Sequence, residues 1–151
     1  MLDRHIHPRL KPLLHRCVSI IDKPAITPDG LTLVGFAIGV LALPFLALGW
    51  YLAALAVIVL NRLFDGLDGA LARRRGLTDA GGFLDITLDF LFYALVPFGF
   101  MLADPAANSL AGGWLLFAFM GTGSSFLAFA ALAAKHQIDN PGYAHKSFYY
   151  L

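Results

Sequence analysis

Five aspartates lie in one stretch of the sequence, residues 65–89, and the spacing of four of them could build a metal site. Asp65 and Asp68 are three residues apart and Asp85 and Asp89 are four apart, so each pair would share one helix face. The flanking runs are apolar enough to be embedded in a membrane. Ionisable side chains are costly there and are by default a functional-site hypothesis. We therefore expect these four carboxylates to do chemistry.

The segment between the two pairs predicts a tight turn. Gly76 is a typical residue beyond a helix end, and Thr78 or Asp79 is a suitable N-cap for the next helix. Counting outward at about 1.5 Å per residue, Asp68 and Asp85 each lie about 10 Å from this turn, and the other two acids lie about one turn deeper. The sequence therefore predicts an antiparallel helical hairpin on which the four carboxylates meet at similar depth.

Four like charges placed so close together would repel one another, and a divalent cation would relieve that repulsion. Oxygen ligands suit hard ions such as Mg²⁺ or Mn²⁺, and Mg²⁺ usually binds through carboxylates together with substrate phosphates. The pattern therefore indicates a site for a hard divalent metal ion.

The same residues carry a resemblance to the CDP-alcohol phosphotransferases, also called CDP-alcohol phosphatidyltransferases. Eight positions match the signature of that family at its spacing: Asp65-x2-Asp68-Gly69-x2-Ala72-Arg73-x7-Gly81-x3-Asp85-x3-Asp89. Upstream, the run from Thr27 to Thr32 resembles the family's entry into its first transmembrane helix.

The resemblance implies an activity and a set of metal ligands. Similar enzymes transfer the phosphatidyl group of CDP-diacylglycerol, or the equivalent group of another CDP-alcohol, to an acceptor alcohol and release CMP. Asp65, Asp68 and Asp85 would bind one Mg²⁺ or Mn²⁺ ion, and Asp65, Asp85 and Asp89 would bind a second. Asp89 would also act as the general base that takes the proton of the acceptor hydroxyl.

The resemblance also implies contacts to the nucleotide. These fall on Asp29, Gly30, Leu31, Thr32, Gly69, Ala72, Arg73, Thr78 and Gly81. The acceptor stays open between glycerol phosphate, inositol phosphate, serine and other alcohols, because the signature holds no acceptor-selecting residues. Membrane lipids are expected partners, and a homodimer is a further expectation.

Composition points to a membrane protein rather than an ordinary soluble domain, because 58% of residues are hydrophobic and only 14% are charged. The net charge of +1 predicts no nucleic-acid partner. Cys17 is the single cysteine, which excludes an internal disulfide.

Hydropathy predicts four spans of about the length that a bilayer needs. They cover Leu31–Trp50, Tyr51–Ala72, Phe83–Ala103 and Trp114–Ala134, with a turn at Gly49 and a loop over residues 104–109. The Gly35-x3-Gly39 pair favours close helix packing. The predicted fold is therefore all-α, a polytopic membrane helix bundle with about four of the six helices that the resemblance implies.

The two ends differ from this core. Residues 1–24 are basic, with apolar residues at helical spacing, and predict an amphipathic juxtamembrane helix; a solvated helix on the bundle end is the alternative. Residues 25–135 form the predicted transmembrane domain. Residues 136–151 are interpreted as a cytoplasmic tail leading into a missing fifth helix. We therefore expect a truncated member of the family, and whether this chain is active by itself is an open question.

The basic residues predict the orientation. The N-terminal segment, the Arg73–Arg75 turn and the Lys135/Lys146 tail are basic, whereas the turn at Gly49 and the loop at Asp104 hold no Lys or Arg. With four spans the basic segments fall on one side, which the positive-inside rule makes cytoplasmic. The aspartate site would then open to the cytoplasm, from the inner or plasma membrane if the source is bacterial.

Two other classes of function compete. A cation or proton transporter would use intramembrane carboxylates but would not require Gly69, Ala72, Arg73 and Gly81. A non-catalytic membrane protein of the same family would keep the motif by descent. Release of CMP from a CDP-alcohol separates both from the enzyme.

Overall fold

The computed structural model describes residues 18–19 and 22–136, and its described regular structure is helical without a strand. Five helices of six residues or more follow in chain order: α1 Pro28–Val40, α2 Ala42–Ala47, α3 Tyr51–Arg75, α4 Asp79–Ala103 and α5 Pro105–Lys135. The predicted all-α class is confirmed. The predicted N-terminal helix and C-terminal tail lie almost wholly outside the described residues.

The first predicted span is one helical segment with a break. It begins at Thr27, whose side chain accepts a hydrogen bond from the Gly30 amide at 3.1 Å, and Pro28 occupies the first helical position. The break at Leu41 separates α1 from α2. Pro44 explains it, because proline lacks an amide proton and its ring crowds the carbonyl of Val40, four residues earlier.

Two glycines mark the turns on either side of α3. Gly49 has φ of 73° and Gly76 has φ of 107°, a region that favours glycine. Beyond Gly76, Thr78 caps α4 by accepting from the Gly81 amide at 3.0 Å. The predicted hairpin of α3 and α4, its turn and its Thr78 cap are therefore confirmed.

The predicted loop over residues 104–109 is wrong. Only Asp104 separates α4 from α5, and α5 begins at Pro105. The Asp104 carboxylate accepts from the Ala107 amide at 3.0 Å, so the Asp-Pro pair is a cap followed by proline at the first helical position. The same device starts α1.

The described helices pack around α3 and α4. Helix α1 lies mainly against α3, α2 lies against α4, and α5 lies along α4. Gly35 and Gly39 are buried on the inner face of α1. A Cβ at Gly39 would lie 2.8 Å from both Asn61 Nδ2 and Phe92 Cδ2, so the glycine pair serves close packing as predicted.

Three described segments are long and apolar enough to cross a membrane: residues 28–47, Asp79–Ala103 and Pro105–Lys135. Many of their large apolar side chains are exposed, including Leu110, Phe117 and Met120 on α5. The span predicted at Tyr51–Ala72 is also a helix, but it carries Arg62, Asp65 and Asp68, and its crossing stays a prediction.

We expect Gly39→Ala to destabilise the bundle by about 1–3 kcal/mol, because the added methyl group enters contacts that are already close. Thermal unfolding of the detergent-purified protein measures this. Gly121→Ala is the matched control, since its Cβ would meet no atom within 4 Å outside its own turn of α5. Equal stability of the two variants would contradict the packing described for α1.

Candidate active site

The hairpin brings three of the four predicted carboxylates together. Asp65 and Asp68 project from α3 and Asp85 projects from α4, and one oxygen of each lies within 4.8 Å of the others. The spacing of three residues places Asp65 and Asp68 on one face of α3, and their carboxylates approach that of Asp85 on α4. The three acids form what we call the carboxylate cluster.

Asp68 is the most deeply buried member, with 3% of its surface exposed. Its Oδ2 accepts a hydrogen bond of 2.6 Å from the Thr32 hydroxyl of α1. Its Oδ1 is buried and finds no hydrogen-bond partner among the described residues. A buried carboxylate oxygen without a partner is costly, so this atom is suited to a positively charged ligand.

A divalent metal ion fits the carboxylate cluster. Oxygen ligands lie at about 2.0–2.6 Å from Mg²⁺ or Ca²⁺, so two ligands of one ion are at most about 4–5 Å apart. The oxygens of the cluster lie within 4.8 Å of one another, which is inside the limit for Ca²⁺, and a side-chain shift of a few tenths of an ångström would bring them within the limit of about 4.2 Å for Mg²⁺. The donors are all carboxylate oxygens. Asp65, Asp68 and Asp85 could therefore hold one ion.

A first cavity of about 340 Å³ opens beside the cluster towards the α3–α4 turn. Its lining comes from the start of α1, the end of α3 and the start of α4. It includes Asp29, Thr32, Asp68, Gly69, Ala72, Arg75, Thr78, Gly81 and Asp85. The first cavity thus joins two members of the cluster to a polar rim.

A second cavity of about 290 Å³ is formed between α3, α4 and α5. It is lined by Asp65, Gly66, Gly69, Arg73, Asp85, Ile86, Asp89, Phe90, Tyr93, Thr122 and Phe126. Gly69 and Asp85 line both cavities. The cluster therefore stands between two spaces, each of which can reach its carboxylates.

Comparison with known proteins agrees with these features. The sequence profile of the CDP-alcohol phosphatidyltransferases matches residues 25–147. The chain belongs to the CDP-alcohol phosphatidyltransferase family. It is therefore related to transferases of phospholipid biosynthesis, and its apolar helices make it an integral membrane protein.

Three relatives show how far the similarity extends. Inner membrane protein YnjF of Escherichia coli is 88% identical over 151 residues, which is 100% of this chain and 73% of that protein. An archaetidylinositol phosphate synthase of Pyrococcus horikoshii is 39% identical over 98 residues, covering 64% of this chain and 52% of that protein. Another, from Methanothermobacter thermautotrophicus, is 37% identical over 93 residues, covering 60% and 48%. No solved structure gives a significant match.

The residues that the family resemblance assigns to nucleotide binding divide between the two cavities. Asp29, Thr32, Gly69, Ala72, Thr78 and Gly81 line the first cavity, whereas Arg73 lines the second, where its guanidinium lies over Gly69. Gly30 and Leu31 lie in the first turn of α1 and are not among the lining residues of either cavity. Their assignment as nucleotide contacts stays a prediction.

Asp89 lies apart from the carboxylate cluster but lines the second cavity. Its Oδ1 accepts a hydrogen bond of 2.8 Å from Arg62 Nη2. Its predicted roles, as ligand to a second ion and as general base, stay predictions.

Sequence reasoning missed three contacts at this site. Arg62 lies in an apolar helix three residues before Asp65, and this position could have identified it as a partner of the acids. The Thr32–Asp68 hydrogen bond joins residues that are 36 positions apart, so no pattern of neighbouring residues in the sequence could predict it. From the sequence, Arg75 was interpreted only as a signal for membrane orientation. In the structure it lines the first cavity. Its guanidinium donates to the carbonyls of Lys23 and Ile26 and to the Asp22 carboxylate.

We expect Asp68→Asn to weaken divalent-metal binding by at least about tenfold, because the substitution removes the charge of a cluster acid whose Oδ1 lacks a partner among the described residues. Titration with Mn²⁺, followed by electron paramagnetic resonance, measures the affinity directly. Asp79→Asn is the control, since Asp79 is an exposed acid in the first turn of α4 and lies outside the cluster. Unchanged Mn²⁺ affinity in Asp68→Asn would remove Asp68 from the ligand set.

Proposed function

We propose that this protein transfers a substituted phosphate group from CDP-diacylglycerol, or a related CDP-alcohol, to an acceptor alcohol and releases CMP. The observation that carries the proposal is the buried Asp68 Oδ1, which has no partner among the described residues and belongs to a group of three carboxylates. A structural acid would have its oxygens satisfied, whereas a metal-dependent site keeps one available.

The first cavity is the proposed site of the nucleotide diphosphate. Two of its walls are helix starts, at Thr27 and Thr78, and helix N-termini favour negative charge. Arg75 adds a cationic side chain to the lining. Gly81 keeps the start of α4 close to α1, because a Cβ there would lie 3.0 Å from the Asp29 carboxylate.

The carboxylates would hold the metal ions. Asp65, Asp68 and Asp85 would bind one ion, and Asp65, Asp85 and Asp89 would bind a second, with Mg²⁺ or Mn²⁺ as the expected metals. When bound, such ions neutralise the charge of the diphosphate and of the leaving CMP.

The second cavity is the proposed site of the acceptor, because it brings Asp89 to a space that adjoins the cluster. Asp89 takes the proton of the acceptor hydroxyl, and the oxygen of that hydroxyl attacks the phosphorus of the transferred group. The bond from that phosphorus to the bridging oxygen of the diphosphate breaks, and CMP leaves with that oxygen. The new phosphodiester and CMP are the two products.

We expect Asp89→Asn to lower turnover by about two to four orders of magnitude, the usual cost of losing a general base. CMP release from CDP-diacylglycerol with Mg²⁺ and a panel of acceptors, including glycerol phosphate, inositol phosphate and serine, is the assay. Binding of the CDP donor should persist at least in part, because the first cavity does not include Asp89.

Asp104→Asn is the matched control for this substitution. It makes the same chemical change in an acid outside both cavities, and asparagine is an equally good N-cap. Near-normal turnover in Asp89→Asn would refute the base assignment. Ion flux across vesicles without CMP release would instead indicate a transporter.

The orientation is also a proposal. We infer that the α3–α4 turn faces the cytoplasm, since Arg73–Arg75 end α3 and the opposite end of α4 holds no Lys or Arg. In a Cys17→Ser background, Leu77→Cys should react with impermeant maleimide only from the cytoplasmic side, and Ala107→Cys only from the other side. Labelling of both from one side would contradict this orientation.

A further inference from the structure

Arg62 is surrounded by side chains that engage all of its guanidinium nitrogens. Nη2 donates to Asp89 Oδ1 at 2.8 Å, and Nη1 donates to the Tyr93 hydroxyl at 3.0 Å. Both Nε and Nη2 donate to Asn61 Oδ1, at 2.8 and 2.6 Å. The Arg62 guanidinium carbon lies 4.7 Å from the ring centre of Phe92 and 5.1 Å from that of Tyr93. A planar guanidinium held on this many sides has little freedom to move.

The support behind Arg62 is itself fixed. Asn61 is 4% exposed, and its Nδ2 donates to the Gly35 carbonyl of α1 at 2.9 Å. With its amide nitrogen committed to α1, its Oδ1 faces the Arg62 guanidinium. The bonds therefore run from α1 through Asn61 and Arg62 of α3 to Asp89 of α4, and the position of Arg62 is set by three helices.

The two oxygens of Asp89 are held unequally. Oδ1 accepts the short, charge-assisted bond from Arg62, whereas Oδ2 accepts a longer bond of 3.3 Å from the Tyr93 hydroxyl. Charge-assisted bonds are roughly twice as strong as neutral ones, and a bond at 3.3 Å is weak. The carboxylate is thus anchored through one oxygen and leaves the other available to a ligand in the second cavity.

We propose that Arg62 is a positioning residue for Asp89: it anchors Oδ1 so that Oδ2 is the oxygen that receives the acceptor proton. This inference rests on the proposed function, in which Asp89 is the base. Arg62 is not among the lining residues of the first or the second cavity, and it contacts Asp65, Asp89 and Tyr93, which line the second. It also lines a narrow gap of about 10 Å³ beside Asp65, Asp68, Asp85 and Asp89, which is too small for a substrate. Its effect on the reaction therefore passes through the residues it holds.

A purely structural role would give a different result. In that case Arg62 would serve only to neutralise an acid inside the bundle, and its loss would lower stability without changing the turnover of the protein that remains folded. A positioning role requires a loss of kcat at unchanged KM for the CDP donor, because the donor occupies the first cavity. Misplacement of a reacting group by about 1 Å can cost about a hundredfold in rate.

The test compares Arg62→Gln, Arg62→Lys and Arg74→Gln in the full chain, by CMP release normalised to folded protein. Arg62→Gln should lower kcat by about ten- to a hundredfold and leave the donor KM within about twofold. Arg62→Lys keeps the charge, but a single ammonium cannot contact Asn61, Asp89 and Tyr93 together, so we expect only partial recovery. Arg74→Gln removes the same charge from an exposed position of α3 outside both cavities and should leave kcat unchanged.

A second measurement separates positioning from support of the metal ligands. Arg62 Nη1 lies 3.7 Å from Asp65 Oδ2, so its positive charge opposes a metal ion bound by that acid. Arg62→Gln should therefore bind Mn²⁺ as tightly as the unsubstituted protein or more tightly. Weaker Mn²⁺ binding would show that Arg62 maintains the carboxylate cluster and would overturn the proposal. Full recovery of kcat in Arg62→Lys would overturn it too, because charge alone would then suffice.

The double variant Arg62→Gln/Asp89→Asn distinguishes the two proposals. If Arg62 acts through Asp89, adding Arg62→Gln to Asp89→Asn should lower the residual turnover by no more than about twofold, since coupled residues are not additive. Independent losses would overturn the positioning role while leaving Asp89 as the base. Normal turnover in Asp89→Asn alone would end the base assignment, and the inference about Arg62 would fail with it.

Discussion

Carboxylates inside an apolar helix bundle must find positive charge or hydrogen-bond donors, and this constraint organises the described structure. Asp89 meets the constraint within the protein, by its bond to Arg62. Asp68 meets it only in part, through the Thr32 hydroxyl, and keeps one buried oxygen without a partner among the residues described. The two acids thus differ: Asp89 has a cationic partner within the chain, whereas Asp68 has a hydroxyl partner and one unsatisfied oxygen.

The hairpin of α3 and α4 places the acids between two cavities. Because the acids lie on the facing sides of α3 and α4, the space on one flank is closed by α1 and the space on the other by α5. Asp85 and Gly69 belong to both spaces. Two molecules bound in these spaces would therefore meet at Asp85 and Gly69.

Local patterns in the sequence predicted the frame well. The three-residue spacing of Asp65 and Asp68, the Gly76 turn and the Thr78 cap depend on neighbours in the chain, and the structure agrees with each. The four-residue spacing of Asp85 and Asp89 did not bring Asp89 into the carboxylate cluster. The Asp104-Pro105 pair was misinterpreted, because a polar residue before proline is common both in loops and at helix starts.

Tertiary contacts were the part that the sequence could not provide. The bond from Thr32 to Asp68 and the bond from Arg62 to Asp89 join different helices, so no periodicity along one helix encodes them. The break at Leu41 had a local cause in Pro44, but hydropathy averaged over the span concealed it. Spacing therefore predicted which residues share a face, whereas the partners on the opposing helix appeared only with the packing.

Arg75 connects the site to the segment that precedes the first membrane helix. It lines the first cavity, and the same guanidinium donates to the backbone carbonyls of Lys23 and Ile26 and to Asp22, which also pairs with Arg74. The segment from Asp22 to Ile26 is thus tethered to the end of α3 by backbone as well as side-chain bonds. The position of this cation in the wall of the first cavity is therefore set partly by a segment that precedes α1, so the cavity wall depends on residues outside the helices that form it.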